Sequence, residues 1–272
     1  MKKYRLKYGT ALTEIELPAE DVIQVISPNK FGPESSDPLA VIRHALANPI
    51  DSPPLSKVVR PGEKACIVVN DITRLTKSEV FIPVIVNELN SAGISDADIT
   101  ILYANGLHRL MNEEEKKQIV GENVYGRVKT IQNDGIKSKF AYVGTTSRGN
   151  QIYVNKAVID ADKVILTGGI IMHHLAGYGG GRKSIIPGVA KKETVLFNHR
   201  MMVDARAEAG HLEGNPIHED AMEGCALVAP DFLFNVVLDH QGKIAGAVAG
   251  HWLRRPCGNP ALYSLSGRLH YC

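Results

Sequence analysis

Short apolar runs alternate along this chain with segments of helical spacing. Lys64–Asn70 (KACIVVN), Asp98–Ala104 (DITILYA), Asp162–Gly168 (DKVILTG) and Asp231–Asp239 (DFLFNVVLD) are each of strand length and nearly continuous in apolar character. Strands of a parallel sheet covered by helices on both faces read this way. Helical patterns lie between them, at Ser78–Ala92, at the Glu-rich stretch Asn112–Val120 and at Lys191–Arg200. A further helix is predicted from Asp37-Pro38, because Pro suits the first helical position and LAVIRHAL follows it. At the start, YRLKY and LTEIEL alternate around Gly9-Thr10 and predict a β-hairpin. The expected fold class is α/β, a largely parallel, Rossmann-like sheet with flanking helices, preceded by an N-terminal β-hairpin. No internal repeat or low-complexity segment interrupts the pattern.

Composition narrows the function classes. At 272 residues the chain is long enough for one large domain or two small ones, and 44% hydrophobic with 22% charged residues is ordinary for a globular protein. A formal charge of +2 lacks the basic excess of a phosphate-tracking surface, so no nucleic-acid partner is expected. No apolar stretch approaches the length of a bilayer span, and MKKYRLKYGT has no apolar run behind its lysines. Neither a membrane partner nor a signal peptide is expected. Cys66, Cys225, Cys257 and Cys272 stand far apart without a CxxC pair, against a zinc ribbon or a disulfide framework. A cytoplasmic protein is the expectation. Residues 251–272 differ from the rest, with no Asp, Glu or Lys but the only Trp and two of the four Cys.

In an open parallel sheet, loops at the carboxyl ends of the strands line the ligand crevice. Three polar clusters follow directly after three predicted strands. They are Asn70-Asp71-Ile72-Thr73-Arg74, Asn105-Gly106-Leu107-His108-Arg109, and the stretch from Gly168 to Ser184. If the strands are neighbours, all three meet on one edge. The glycine-rich end of the third cluster, Gly179-Gly180-Gly181-Arg182-Lys183, suits an anion cradled by backbone amides with cations beside it. It is not a Walker loop. Arg182 stands where GxxxxGK[ST] has Gly, and Pro187-Gly188 interrupts the helix that should follow. A flexible surface loop is the plain alternative.

The imidazoles of His108, His173 and His174, with His199 in Phe197-Asn198-His199, are acid/base or metal-ligand candidates. No HxH or HExxH spacing supports an all-protein metal site. A metal carried mainly by a cofactor, with one His from the protein, would leave this sparse signature. Arg74 suits a carboxylate or phosphate, as do Arg109 and Arg182; a surface ion pair with Asp71 is the plainer reading of Arg74. An anionic ligand fits best.

NDITR, GLHR, HHLAGYGGGRKSIIPG and FNHR stand here in the order and rough spacing seen in one family. Over about residues 1–250 the chain resembles the N-terminal, cofactor-binding domain of nickel-pincer-dependent lactate racemases. The resemblance implies a pyridinium-thioamide-thiocarboxylate mononucleotide, the nickel pincer, attached to Lys183. It implies nickel coordination completed by His199, and His108 with His173 as paired acid/base groups. Asp71 and Arg74 match positions that contact cofactor or substrate. Gly180, Gly181 and Arg182 match positions around the cofactor's phosphate, and His174 stands among them without a certain role. The implied activity is racemisation or epimerisation of a 2-hydroxy acid by hydride transfer to the cofactor, with the proteins that make the cofactor as partners. Lactate, malate, other 2-hydroxy acids and sugar acids are all compatible.

Family members continue into a second α/β domain, whereas here the match stops near Trp252. Residues 251–272 are therefore expected to be the truncated or frameshifted start of a missing C-terminal domain, with impaired turnover as the consequence. The alternative is a non-catalytic or inactive remnant that binds the nucleotide cofactor.

Overall fold

The computed structural model describes residues 1–9, 11–25, 37–74 and 76–253. They fall into two compact units, one within Met1–Lys30 and the other within Phe31–Cys272. The first is the expected hairpin. Strands β1 (Lys2–Tyr8) and β2 (Ala11–Leu17) pair antiparallel from Lys2 opposite Leu17 to Tyr8 opposite Ala11.

The second unit is built on six strands, β3 (Ala65–Asn70), β4 (Ile99–Ala104), β5 (Lys129–Gln132), β8 (Lys163–Gly169), β9 (Phe232–Leu238) and β10 (Ile244–Gly250). A separate antiparallel pair, β6 (Phe140–Thr145) and β7 (Gln151–Asn155), lies between β5 and β8 in sequence. The sheet order is β10-β9-β8-β3-β4-β5, parallel throughout except for β10, which runs antiparallel to β9. All four strands expected from the apolar runs are present. The chain steps outward from β3 to β4 and β5, then returns to place β8 on the other side of β3. That reversal makes β3 and β8 a topological switch point, where the strand ends splay and leave a crevice.

Helices cover both faces of the sheet. On one, Ala65, Ile67 and Val69 of β3 pack with residues of α1 (Pro38–Ala47), α2 (Ser78–Ser91) and α3 (Glu113–Val120). On the other, Cys66 and Val68 join Ile152 and Val154 of β7, Val195 of α4 (Lys192–His199) and Ala221 and Cys225 of α5 (Pro216–Val228). Alternate residues of one strand thus feed two separate cores, which is why the run is apolar throughout. Local chemistry starts the helices as expected. Asp37 accepts a hydrogen bond from the Leu39 amide, and Asn112 with Glu115 forms a capping box. α5 opens in the same way on Asn215-Pro216.

Strand β10 ends beside Ile50, whose carbonyl accepts from His251 N at 2.9 Å, and Trp252 is buried in the second core. Most of the unusual 251–272 segment lies outside the described residues, as do Cys257 and Cys272. No helix among the described residues is long and apolar enough to cross a membrane.

Gly188 lets the loop after the glycine-rich stretch press against the end of β4. Its carbonyl accepts from Gly106 N at 2.8 Å. A Cβ at this position would lie 2.3 Å from the Ser184 carbonyl oxygen and 2.8 Å from Ala104 Cβ. Gly188→Ala is expected to cost about 1–3 kcal/mol, the usual range for overpacking, read as a lower urea midpoint. An unchanged midpoint would mean that the loop does not pack there.

Candidate active site

Because β8, β3 and β4 are neighbours, their carboxyl ends deliver the three polar clusters to one edge of the sheet. Asp71 follows β3 directly and is only 1% exposed. Its Oδ2 lies 2.6 Å from His108 Nδ1, while Oδ1 accepts from Thr73 Oγ1 at 2.7 Å and from Thr73 N at 3.1 Å. Burial works to raise the Asp71 pKa, but the hydrogen bonds from His108 and Thr73 and the His108 charge outweigh it. The carboxyl is held below its ordinary value. An ionised Asp71 draws the ring proton of His108 to Nδ1 and leaves Nε2 with a free lone pair. His108 itself is exposed. A carboxylate thus stands behind its ring.

His173 is held in the opposite sense. It lies in a short antiparallel pairing of Met172–His173 with Gly177–Tyr178. Its Nδ1 accepts from the backbone amides of Leu175 and Ala176, each at 3.2 Å. Two donors on Nδ1 put the proton of the neutral ring on Nε2. Burial, then the positive charge of Lys183 and contributions from His174, Arg74 and His199, push its pKa down to about 3. The His174 ring stacks on it with centroids 4.6 Å apart.

Lys183 sits in a short helical turn, Gly181–Ser184, after Gly180 and Gly181, both with positive φ. One cleft is lined by Lys183, His173 and His199, with apolar walls that include Ile186, Pro187, Ile217 and Ala221. Burial, reinforced by the charges of Arg182 and Arg74, pushes the Lys183 amine down to about 7. Near neutrality a substantial share of this amine is therefore uncharged. His199 ends α4. Its pKa is lowered by burial and by Lys183, against an opposing hydrogen bond with the Val195 carbonyl one turn back. Its Nδ1 is buried and has no hydrogen bond of good geometry.

The other candidates are placed as follows. Arg74 is exposed, and its charge is felt at both His173 and Lys183. Asp71 turns to His108 and Thr73, so the expected alternative of an Asp71–Arg74 surface pair gives way to an Asp71–His108 pair. Arg109 is engaged by Glu115 at 2.5 and 2.7 Å. Arg182 is 1% exposed and donates to the Ala176 carbonyl at 2.8 Å. Gly180 packs against the Asn235 amide, whereas a Cβ on Gly181 would meet nothing within 4 Å. Beside Lys183 the buried Gly181 thus borders unfilled space. Among the described residues no group of three or more His, Cys, Asp or Glu is gathered to hold a metal.

Fold and site together define an α/β domain whose switch-point crevice presents a near-neutral lysine among histidines. The profile of the family described as the lactate racemase N-terminal domain matches residues 8–210, and the chain belongs to that family. It is 32% identical over 256 residues to lactate racemase of Thermoanaerobacterium thermosaccharolyticum, covering 92% of this chain and 60% of the relative. It is 33% identical over 212 residues to lactate racemase of Lactiplantibacillus plantarum, covering 77% of this chain and 50% of that protein. The chain therefore spans between half and two thirds of the length of these relatives. Its structure matches that of the lactate racemase apoprotein from Thermoanaerobacterium thermosaccharolyticum with a TM-score of 0.79 and 30% identity, covering 93% of this chain and 60% of that one. A Thermotoga maritima protein structure shares the fold, with a TM-score of 0.61, 19% identity, and coverage of 80% and 55%.

The depressed Lys183 amine has a direct consequence. Modification of the apo protein by acetic anhydride, followed by peptide mass spectrometry, should label Lys183 with a rate that rises through pH about 7 and then levels. Ordinary lysines should keep rising towards about pH 10. A Lys183 profile that climbs only with the surface lysines would show that its amine is an ordinary cation.

Proposed function

We propose that this chain is the cofactor-bearing domain of a racemase or epimerase acting on a 2-hydroxy acid of the lactate type. The observation that carries the reading is the Lys183 amine, near neutral in a cleft with His173 and His199. The carboxylate-backed His108 lies at the same strand edge. The names of the relatives support the reaction class.

The residues present fit a nickel-pincer nucleotide. Lys183 offers a partly uncharged amine for covalent attachment, a Cβ on neighbouring Gly181 would meet unfilled space, and the positive charges of Arg182 and Arg74 are felt at Lys183, as an anionic group would need. His199 has a buried Nδ1 without a protein hydrogen bond of good geometry, and its imidazole would be the protein ligand to the metal. Asp71 and His174 reach this group through their neighbours, Asp71 by holding His108 and His174 by stacking on His173. When bound, the group supplies an electrophilic acceptor for hydride from the substrate's α-carbon.

The protein's own contribution is orientation and proton handling. Arg74 offers a planar fork to the substrate carboxylate. His108 takes the hydroxyl proton on Nε2, and the imidazolium so formed is stabilised by Asp71. His173 begins as a neutral ring presenting Nε2–H, a hydrogen-bond donor to the substrate oxygen rather than a base. For the opposite enantiomer the roles exchange, and His173 must then give up its contacts with the Leu175 and Ala176 amides. The two histidines are therefore not equivalent at rest.

The test is to co-produce the chain with the cofactor-making proteins of a relative. Intact mass and nickel content are measured, and lactate and malate racemisation is followed by chiral chromatography. A Lys183 adduct with bound nickel is expected. Lys183→Ala should abolish the adduct; His108→Ala should keep it and lose turnover. Asp71→Asn should keep it and slow turnover by roughly 10²–10⁴-fold, the range for a displaced general base. If the Thermoanaerobacterium relative acquires the adduct in parallel and this chain does not, the reading fails. An adduct without turnover would instead mark a cofactor-binding protein.

A further inference from the structure

We infer that Asp220 is a positioning residue for His199, its buried carboxylate clamping Asn198 and thereby setting where the neighbouring imidazole sits in the cleft. The inference rests on the proposed role of His199. Asp220 lies on α5, is 0% exposed, and is far from the strand ends that carry the other site residues in sequence. Polar atoms withdrawn from water need hydrogen-bond partners, because leaving them unmet is costly. Here three neutral side chains from two other segments meet the Asp220 carboxylate. Thr146 Oγ1 donates to Oδ1 at 2.7 Å, and Asn150 Nδ2 and Asn198 Nδ2 each donate to Oδ2 at 2.8 Å.

Asn198 is the residue immediately before His199. Its amide nitrogen also donates to the Ile217 carbonyl at 3.0 Å, so both of its N–H groups are spent on α5. α4 is only eight residues long, and so short a helix takes its orientation from what it packs against rather than from its own hydrogen bonds. The turn between β6 and β7 secures the opposite end of α4. Asn150 Nδ2 donates to the Thr194 carbonyl at 3.3 Å, and Thr194 Oγ1 donates to the Gln151 carbonyl at 2.7 Å. Asp220 accepts from one residue at each end of this arrangement, Asn150 and Asn198. The N-cap of α5 also supports the second cleft imidazole. Asn215 Nδ2 donates to the Leu175 carbonyl at 2.8 Å, and Leu175 N is one of the two donors on His173.

The test compares Asp220→Ala, Asn198→Ser and Glu223→Ala with the unsubstituted chain. Asp220→Ala removes the acceptor that Asn198 and Asn150 share. Asn198→Ser removes the clamp but leaves Asp220 with its other two donors, and keeps the proposal testable if Asp220→Ala does not fold. Glu223→Ala loosens the same hairpin from α5, at Ser147, without touching Asp220. In the apo protein, Asp220→Ala and Asn198→Ser should both shift the His199 ring resonances in a long-range ¹H–¹⁵N spectrum; Glu223→Ala should lower Tm without shifting them. In the loaded protein, the same two variants should keep the Lys183 adduct while losing nickel to EDTA at least tenfold faster. Unmoved His199 resonances in folded Asp220→Ala and Asn198→Ser would overturn the inference. The ring resonances do not depend on nickel, so a chain that never binds nickel would refute the proposed ligand role and still leave the positioning decided.

Discussion

Strands buried on both faces leave a chain few places to gather polar side chains, and the ends of the strands are the principal one. In this protein β3, β8 and β4 lie side by side in parallel, and each has its polar cluster at the carboxyl end. The return of the chain from β5 to β8 across β3 opens the crevice into which two of those clusters feed. Every candidate residue depends on that arrangement, because Asp71, His108, His173 and Lys183 are spread over more than a hundred positions of sequence.

Within the crevice, desolvation acts on each group according to its charge. It favours the neutral forms of Lys183, His173 and His199, and arginine charge pushes in the same direction at Lys183 and His173. Asp71 escapes it because His108 and Thr73 hydrogen-bond to its charged form. The outcome is a site with one stabilised carboxylate, one amine poised near neutrality and imidazoles of differing tautomer. That pattern is what the proposed function draws on.

A second layer holds this chemistry in place. The β6–β7 hairpin and α5 carry no residue of the proposed reaction, yet their buried polar groups tie down the short helix that ends in His199 and the loop that contains His173. The packing there is of hydrogen-bonded polar groups rather than of apolar ones alone, and such networks fix geometry in a way that dispersion contacts do not.

Much of the architecture could be read from the chain itself. The four long apolar runs marked β3, β4, β8 and β9, Asp37-Pro38 marked a helix start, and the Glu-rich stretch Asn112–Val120 marked a further helix, since these signals are local. The same kind of signal, Asn215-Pro216, stands before α5 and was available to find it. β5 has only four residues, β10 (IAGAVAG) is made of small residues, and β6–β7 is half exposed, so none announces itself by period. The chemical types at the site, the glycine-rich loop, the lysine and the histidines, were also legible, and their order along the chain pointed to the family. Tertiary structure alone decided which partner each would have: His108 for Asp71, Glu115 for Arg109, backbone amides for His173, and Asp220 for Asn198. The reason is physical. A residue's type and its local spacing are written in the chain, but its protonation state and orientation depend on burial and on neighbours that only folding brings within hydrogen-bonding distance.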